Sequence, residues 1–410
     1  MPFKTTSSRR YSTKNTAFGR SQRPSRSFNS NNHGRRGSKG PKKDYIHPSR
    51  FVKAARPVEE DTYEAKNTFA DFAVHELIKQ NIEKKGFTTP SPIQDQSIPH
   101  GLEGRDVIGI ANTGTGKTIA FALPVLHQLM LDKGSQALIV APTRELAQQI
   151  EAEFKEVAKG SGLYGALLIG GSSMGTQLRD LRQKPQIVIG TPGRIMDHMQ
   201  RGTLDLSGFK LVVLDEVDRM LDMGFVNDVR TILGELHADR QSFFYSATLD
   251  HKVSDLIQTF SNDPITVSVK TGNTSDNVHQ DIVCYERASE KMELLHNILN
   301  KDEVVKAIIF DETQRSVERL ANELIDRGFK ADAIHGGKSQ GQRQRALESF
   351  KKGRINILVA TDVAARGIDV ADITHVINYT TPQSYEDYVH RIGRAGRAGN
   401  VGYALTFVTE

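Results

Sequence analysis

Short runs of unbroken apolar residues recur through most of this chain, and they constrain its fold more than any other feature. The first series is VIGIA (107–111), ALIVA (137–141), ALLIGG (166–171), IVIGT (187–191), LVVLD (211–215) and SFFYSAT (242–248). A second series is AIIF (307–310), ADAIHG (331–336), NILVAT (356–361), HVINY (375–379) and YALTFV (403–408). Unbroken rather than alternating hydrophobicity suits strands buried on both faces, as in parallel sheets. Helical patterns lie between several runs, which makes repeated strand–helix units. Upstream, Val74, Leu77, Ile78 and Ile82 recur at helical spacing before Gly86. At 314–327, Val317, Leu320, Ala321, Leu324 and Ile325 share one helical face before Gly328. Two consecutive doubly wound α/β domains are the economical reading.

Residues 1–66 differ in kind. They are rich in Ser, Asn, Arg, Gly and Lys and nearly lack aliphatic residues before Ile46. Such a segment buries too little apolar surface to offset its ordering entropy, so we expect a disordered basic tail. Residues 1–45 hold 12 Lys and Arg against one acid, Asp44, while the remainder has 42 basic and 48 acidic residues. The net charge of +5 therefore comes wholly from the tail. Its arginines are interleaved with Tyr11, Phe18 and Phe28, a mixture suited to polyanions through counterion release and stacking. The stretch 261–280 is polar, with Pro264 and Gly272, and reads as a linker. The expected boundaries are a tail at 1–66, a first domain at 67–265, a linker at 266–277 and a second domain at 278–410. The chain stops soon after a strand, so no C-terminal extension is expected.

Several classes are disfavoured. No stretch approaches the roughly 18 apolar residues of a membrane span, and the N-terminus lacks the apolar core of a signal peptide. The one cysteine, Cys284, excludes an internal disulfide framework and reads as a small buried hydrophobe. The 13 histidines show no metal-ligand spacing. A soluble cytoplasmic protein without a membrane partner is expected.

The segment ANTGTGKT (111–118) follows an apolar strand and precedes a helical run, the setting of a phosphate loop. Gly114 and Gly116 let the backbone N–H groups turn inward around Thr113 and Thr115, and the helix N-terminus adds positive partial charge. Lys117 can reach the outer phosphates of a nucleotide, and the Thr118 hydroxyl can ligate Mg²⁺. Ala111 stands where the strict pattern has its first glycine. In LVVLDEVD (211–218) an acid ends a buried strand, which is costly unless it meets a cation. Asp215 is placed to hold Mg²⁺, and Glu216 to polarise an attacking water. Farther on, HRIGRAGR (390–397) is an arginine row able to reach that nucleotide from the other domain.

With GFTTPSPIQ (86–94), PTRELAQQI (142–150), GG (170–171), TPGR (191–194), SAT (246–248), IIF (308–310) and ATDVAARGID (360–369) in order, the chain resembles the DEAD-box RNA helicases of superfamily 2. The resemblance covers residues 69 to 408, and HGGKSQGQRQRAL (335–347) is similar to the bacterial RhlE-like branch. Ala111 is typical of the family, whereas Val217 stands where the family name has alanine. That swap keeps Asp215, Glu216 and Asp218, and activity is expected to survive it.

The resemblance implies two tandem RecA-like domains and an ATP-dependent RNA helicase that unwinds short duplexes locally or remodels RNA–protein complexes. It implies ATP and Mg²⁺ as cofactors and RNA as partner, with Lys117, Asp215, Glu216, Arg394 and Arg397 catalytic. Gln94 would read adenine, Phe69 stack on it and Asp369 contact the ribose. Ser246, Thr248 and His390 would couple ATP state to strand separation. RNA would meet Thr143, Arg144, Gly171, Thr191, Gly193 and Arg194 in the first domain and Gln340, Arg343 and Thr361 in the second, mostly through phosphate and sugar. An ATP-gated RNA clamp and an annealing chaperone led by the basic tail are the rival readings.

Overall fold

The computed structural model describes residues 46–55, 63–112, 114–269, 274–365, 368, 370, 372–396 and 400–409. The basic segment 1–45 and the site candidates Thr113, Asp369 and Arg397 lie outside them.

Every unbroken apolar run overlaps a strand. In the first lobe these are β1 (Val107–Ile110), β2 (Gln136–Val140), β3 (Gly165–Leu168), β4 (Ile187–Gly190), β5 (Phe209–Leu214), β6 (Gln241–Ser246) and β7 (Ile265–Ser268). All pair in parallel in the order β3-β4-β2-β5-β6-β1-β7. Both sheet faces are covered. Ala137 and Ile139 point into one apolar cluster, with Ile78, Phe121 and Ile150, while Leu138 and Val140 point into the other, with Val229 and Leu256. Alternate residues facing two different cores explain why the run is apolar throughout.

The second lobe repeats the scheme. Its strands are β8 (Val278–Tyr285), β9 (Ala307–Phe310), β10 (Ala331–Ile334), β11 (Ile357–Ala360), β12 (His375–Asn378) and β13 (Gly402–Thr409). They pair in parallel in the order β10-β11-β9-β12-β13-β8. Helices Glu290–Leu299 and Gln314–Asp326 cover one face, and Gln340–Lys351 and Tyr385–Ile392 the other.

Strand order positions the site. Neighbours β5, β6 and β1 end in DEVD, SAT and the phosphate loop, so these three motifs lie side by side at the carboxyl edge of one sheet.

The structure moves several boundaries. Residues 266–268 belong to β7, not to the linker, which narrows to 269–277 and holds a 3₁₀ turn at Thr274–Asn277. The strands β7 and β8 are sheet edges with partly exposed faces, so neither carries an unbroken apolar run. Residues 46–55 and 63–66, assigned to the disordered tail, are packed. Phe51 is wholly buried against Tyr388, and Tyr63 bonds Asp95. Too few apolar residues stand there to signal burial, because Phe51 borrows the second lobe's core. Cys284 is exposed on edge strand β8, not buried. Ile325 is 48% exposed, outside the buried face formed by Val317, Leu320, Ala321 and Leu324.

Candidate active site

The phosphate loop is braced from the preceding helix, Pro92–Leu102. Ser91 Oγ donates to the Thr115 carbonyl at 2.7 Å, and Gln94 Nε2 donates to the Gly116 carbonyl at 3.0 Å. Gln94 Oε1 accepts the Ser91 N–H at 2.8 Å. Both ends of the Gln94 amide are thus engaged within the protein, where the family resemblance implies adenine. Glycine suits position 116. Its φ is +88°, and a Cβ there would stand 2.4 Å from Gln94 Nε2. Lys117 opens the helix Lys117–Leu131, is buried, and donates to the Ala111 carbonyl at 3.0 Å. Thr118 is half-buried in the first turn of that helix. Phe69 is buried between buried Phe72 and half-buried Phe87, its ring centroid 5.9 Å from each.

Beyond β5 the chain turns sharply. Glu216 has φ 53° and ψ 55°, a left-handed conformation that costs a non-glycine residue on the order of 1–3 kcal/mol and clusters at active sites. Asp215 is buried, which pushes its carboxyl up to about 6 against the pull of Lys117. Burial also acts to raise Glu216, but Arg219, Lys117 and Arg394 together hold it down to about 2. Arg219 Nη1 donates to Glu216 Oε2 at 2.6 Å. Val217 is fully buried in the apolar layer beneath β5 and β6.

Asp215 and Thr118 are hard oxygen donors suited to Mg²⁺, which commonly takes one or two protein oxygens and completes its shell with phosphates and water. A buried carboxylate driven toward protonation is one that a cation would relieve, so the residues present fit such an ion.

Asp218 ties DEVD to SAT. Its Oδ2 accepts the N–H groups of Ala247 and Thr248 at 3.0 and 2.9 Å and the Thr248 hydroxyl at 3.1 Å. In return, buried Ser246 Oγ accepts the Asp218 N–H at 3.3 Å.

The second lobe completes the centre. Arg394 is buried, donates to the Ile368 carbonyl at 2.8 Å, and lies near enough to Glu216 to help lower its pKa. Half-buried His390 lines a narrow interlobe gap with Arg219, Asp362, Asp387 and Arg394. Arg391 grips Asp362 through two bonds of 2.5 and 2.7 Å and also donates to the Thr380 carbonyl, which fixes the helix Tyr385–Ile392 ahead of Arg394.

A second interlobe contact joins several RNA candidates. Arg343 pairs with Glu145 at 2.8 Å, and Gln340 Nε2 donates to Gln148 Oε1 at 2.9 Å. Arg144 lies along the backbone of Gly170 and Gly171, where a Cβ would meet its guanidinium at 2.9 and 2.6 Å. Burial and the nearby Arg343 lower the Arg144 pKa. Glu145 Oε2, Gln340 Oε1 and Arg343 Nε are buried here with no hydrogen-bond partner. Thr143 is buried, and its hydroxyl caps the helix Arg144–Val157 by accepting the Leu146 N–H at 3.2 Å. Thr191, Gly193 and Arg194 stand at the start of the helix Pro192–Gln200, beside the end of β3, and Thr361 follows β11.

Comparison with known proteins finds matches over both lobes. The DEAD/DEAH box helicase family matches residues 91–256, and the helicase conserved C-terminal domain matches residues 290–399. Mss116p, solved bound to ssRNA and AMP-PNP, is 30% identical, with 87% of this chain and 77% of that chain covered and a TM-score of 0.75. The chain belongs to the DEAD-box helicase family. The ATP-dependent RNA helicase CshA of Listeria monocytogenes is 44% identical over 83% of this chain. The match spans 66% of CshA, just short of two thirds of its length. Dbp5 of S. cerevisiae, solved bound to RNA and ADP BeF3, is 29% identical, with 84% and 90% of the two chains covered and a TM-score of 0.74.

The DEAD-box motifs carry contacts that reading them singly missed. Asp218, Arg219, Glu145 and Ser91 each sit inside or beside a quoted motif, and that proximity was the available signal. Asp95, which anchors Tyr63 and Asn67, had none beyond adjacency to Gln94.

Proposed function

We propose that this chain is an ATP-dependent RNA helicase that closes its two lobes on ATP and RNA, hydrolyses the ATP, and so separates short duplexes or remodels RNA–protein complexes. One observation carries the reading: Glu216 is faced by Lys117 from its own lobe and by Arg394 from the other. A hydrolytic centre whose charges come from both lobes works only when they meet, which makes closure the coupling step.

In this reading the Lys117 ammonium holds the outer phosphates. Thr118 and Asp215 hold Mg²⁺, which when bound neutralises charge on the phosphate oxygens. Glu216 orients and polarises the attacking water, while Arg394 and Arg397 face charge developing on the transferred phosphoryl group. Phe69 and Gln94 serve the adenine side and Asp369 the ribose. Asp218 transmits the state of the centre to Ser246 and Thr248. His390 joins the lobes.

RNA runs across both lobes over Thr143, Arg144, Gly171, Thr191, Gly193, Arg194, Gln340, Arg343 and Thr361. Unpartnered buried polar atoms at the Glu145–Arg343 seam support a polar ligand there. Backbone contacts make binding independent of sequence and sensitive to salt. We place its work in the cytoplasm, where RNA, ATP and Mg²⁺ meet.

The test is ATP hydrolysis with single-stranded RNA, duplex RNA and matched DNA, followed by strand separation of a short duplex. Stimulation by RNA with ATP-dependent separation is expected. RNA stimulation without separation would leave a clamp instead of a helicase.

A further inference from the structure

The helix that leads to Arg394 is held by residues from far outside the second lobe's own stretch of chain. Residues 46–55 precede the first lobe in sequence, yet they pack on the second. Phe51 closes a 3₁₀ turn, Pro48–Phe51, and is wholly buried, its ring 4.7 Å from that of Tyr388. Arg50 lies 3.8 Å over the Tyr385 ring. Tyr385 and Tyr388 stand three apart in the helix Tyr385–Ile392, a spacing that puts them on one face. Two adjacent residues of the segment therefore cover both aromatic rings of that face.

The segment is fixed in turn to edge strand β8. Lys53 and Gln280 exchange backbone hydrogen bonds of 3.0 and 2.8 Å as an antiparallel bridge. The Ala55 N–H donates to His279 Nδ1 at 3.4 Å, and Lys53 Nζ reaches Asp276 at 2.6 Å. Gln280 is itself buried, and its Oε1 accepts the Tyr388 hydroxyl at 3.0 Å. Strand, segment and helix meet at Tyr388, whose ring packs on Phe51 and whose hydroxyl bonds Gln280.

The burial of Phe51 reaches the arginine. Arg394 stands between Ile392 and Ala395, and its Nη1 donates to the carbonyl of Ile368. All three of those neighbours are fully buried in the apolar cluster that contains Phe51 and Tyr388. The backbone on both sides of Arg394, and the carbonyl that receives its guanidinium, rest on a core that Phe51 helps to fill. Interiors hold few voids, so removing a ring leaves a cavity or shifts its neighbours. A misplacement of about 1 Å at a reacting centre costs on the order of 10²-fold in rate.

We propose that Phe51 is a positioning residue for Arg394: the segment 46–55 is a working part of the second lobe that holds the helix Tyr385–Ile392 where its arginine meets Glu216. The proposal rests on the ATPase reading for its effect on catalysis, though not for its effect on the helix.

The experiment is a double-mutant cycle in the full chain. Phe51→Ala is made alone and together with Arg394→Ala, and single-turnover ATP hydrolysis is measured with saturating RNA below every variant's thermal midpoint. Phe51→Ala alone should slow hydrolysis by about tenfold to a hundredfold. With Arg394 already removed it should have little further effect, because both changes disable one group. A merely structural role slows both backgrounds by the same factor. That result overturns the proposal, as does an unchanged rate in the single variant. Phe51→Leu keeps part of the buried volume and should recover part of the rate, and it carries the cycle if Phe51→Ala fails to fold. Amide hydrogen exchange across 385–396 should rise in either variant, while exchange across Lys117–Leu131 stays constant. Exchange that is unchanged across 385–396 also overturns the positioning role. If the unaltered chain shows no RNA-stimulated hydrolysis, the ATPase reading fails, and the exchange measurement still decides whether the segment holds the helix.

Discussion

Arg343 of the second lobe holds Glu145 of the first at 2.8 Å, and both side chains are buried. The pair exists only when the lobes meet, so it belongs to the closed state. Breaking one side of a buried pair strands a charge, at about 3–5 kcal/mol. Arg343→Ala should therefore cut RNA-stimulated ATP hydrolysis at least a hundredfold, with each lobe's thermal stability little changed. Double-mutant cycles with Glu145→Gln check this, and additive effects would count against the seam.

Lys117→Ala removes the only described Lys or Arg within the phosphate loop. ATP binding should be lost by more than a hundredfold in a nucleotide titration. Normal nucleotide affinity in this variant would refute the phosphate site.

Glu216→Gln keeps the size of the side chain and removes its charge. The variant should bind ATP and RNA and accumulate a closed complex. Its hydrolysis should slow by about 10²–10⁴-fold, the usual worth of general base catalysis. Turnover at the wild-type rate would show that another group activates the water.

Gly171→Ala places a Cβ 2.6 Å from the Arg144 guanidinium at a φ of +79°. Arg144 must then move from the seam. Filter binding with an unreactive ATP analogue should show RNA affinity down by roughly tenfold, about 1.4 kcal/mol. Unchanged affinity would remove Arg144 from the RNA surface.

His375 gives the second lobe an acid limit. Burial lowers its pKa below the ordinary 6.5, and the ring stacks on Tyr403 with centroids 4.9 Å apart. The unfolded chain therefore binds a proton at higher pH than the folded one. This contribution to stability is complete well above pH 6.5 and is lost as pH falls below it. Denaturant midpoints should drop on acidification, and His375→Phe should flatten that slope.

Much of the fold was legible because a strand buried on both faces must be apolar throughout, as at Ile139 and Val213. The edge strands β7 and β8 were not, since Thr266 and His279 face outward and break the pattern. The site motifs were legible where one short stretch carries the chemistry, as in the phosphate loop and at Asp215–Glu216. Gln94 was located, but its partners were not, because whether an amide faces a ligand or the Gly116 carbonyl depends on a turn from another part of the chain.

The amino-acid sequence by itself determined the two-lobe α/β architecture, the phosphate loop and the acidic strand end, because strand burial and phosphate cradling depend on residues close in the chain. Only the tertiary structure decided that Arg394 faces Glu216, that Arg343 pairs with Glu145, and that Phe51 docks beside Tyr388. Those contacts join residues far apart in sequence. Their energies come from charge and apolar surface withdrawn from water between elements, which no local pattern records.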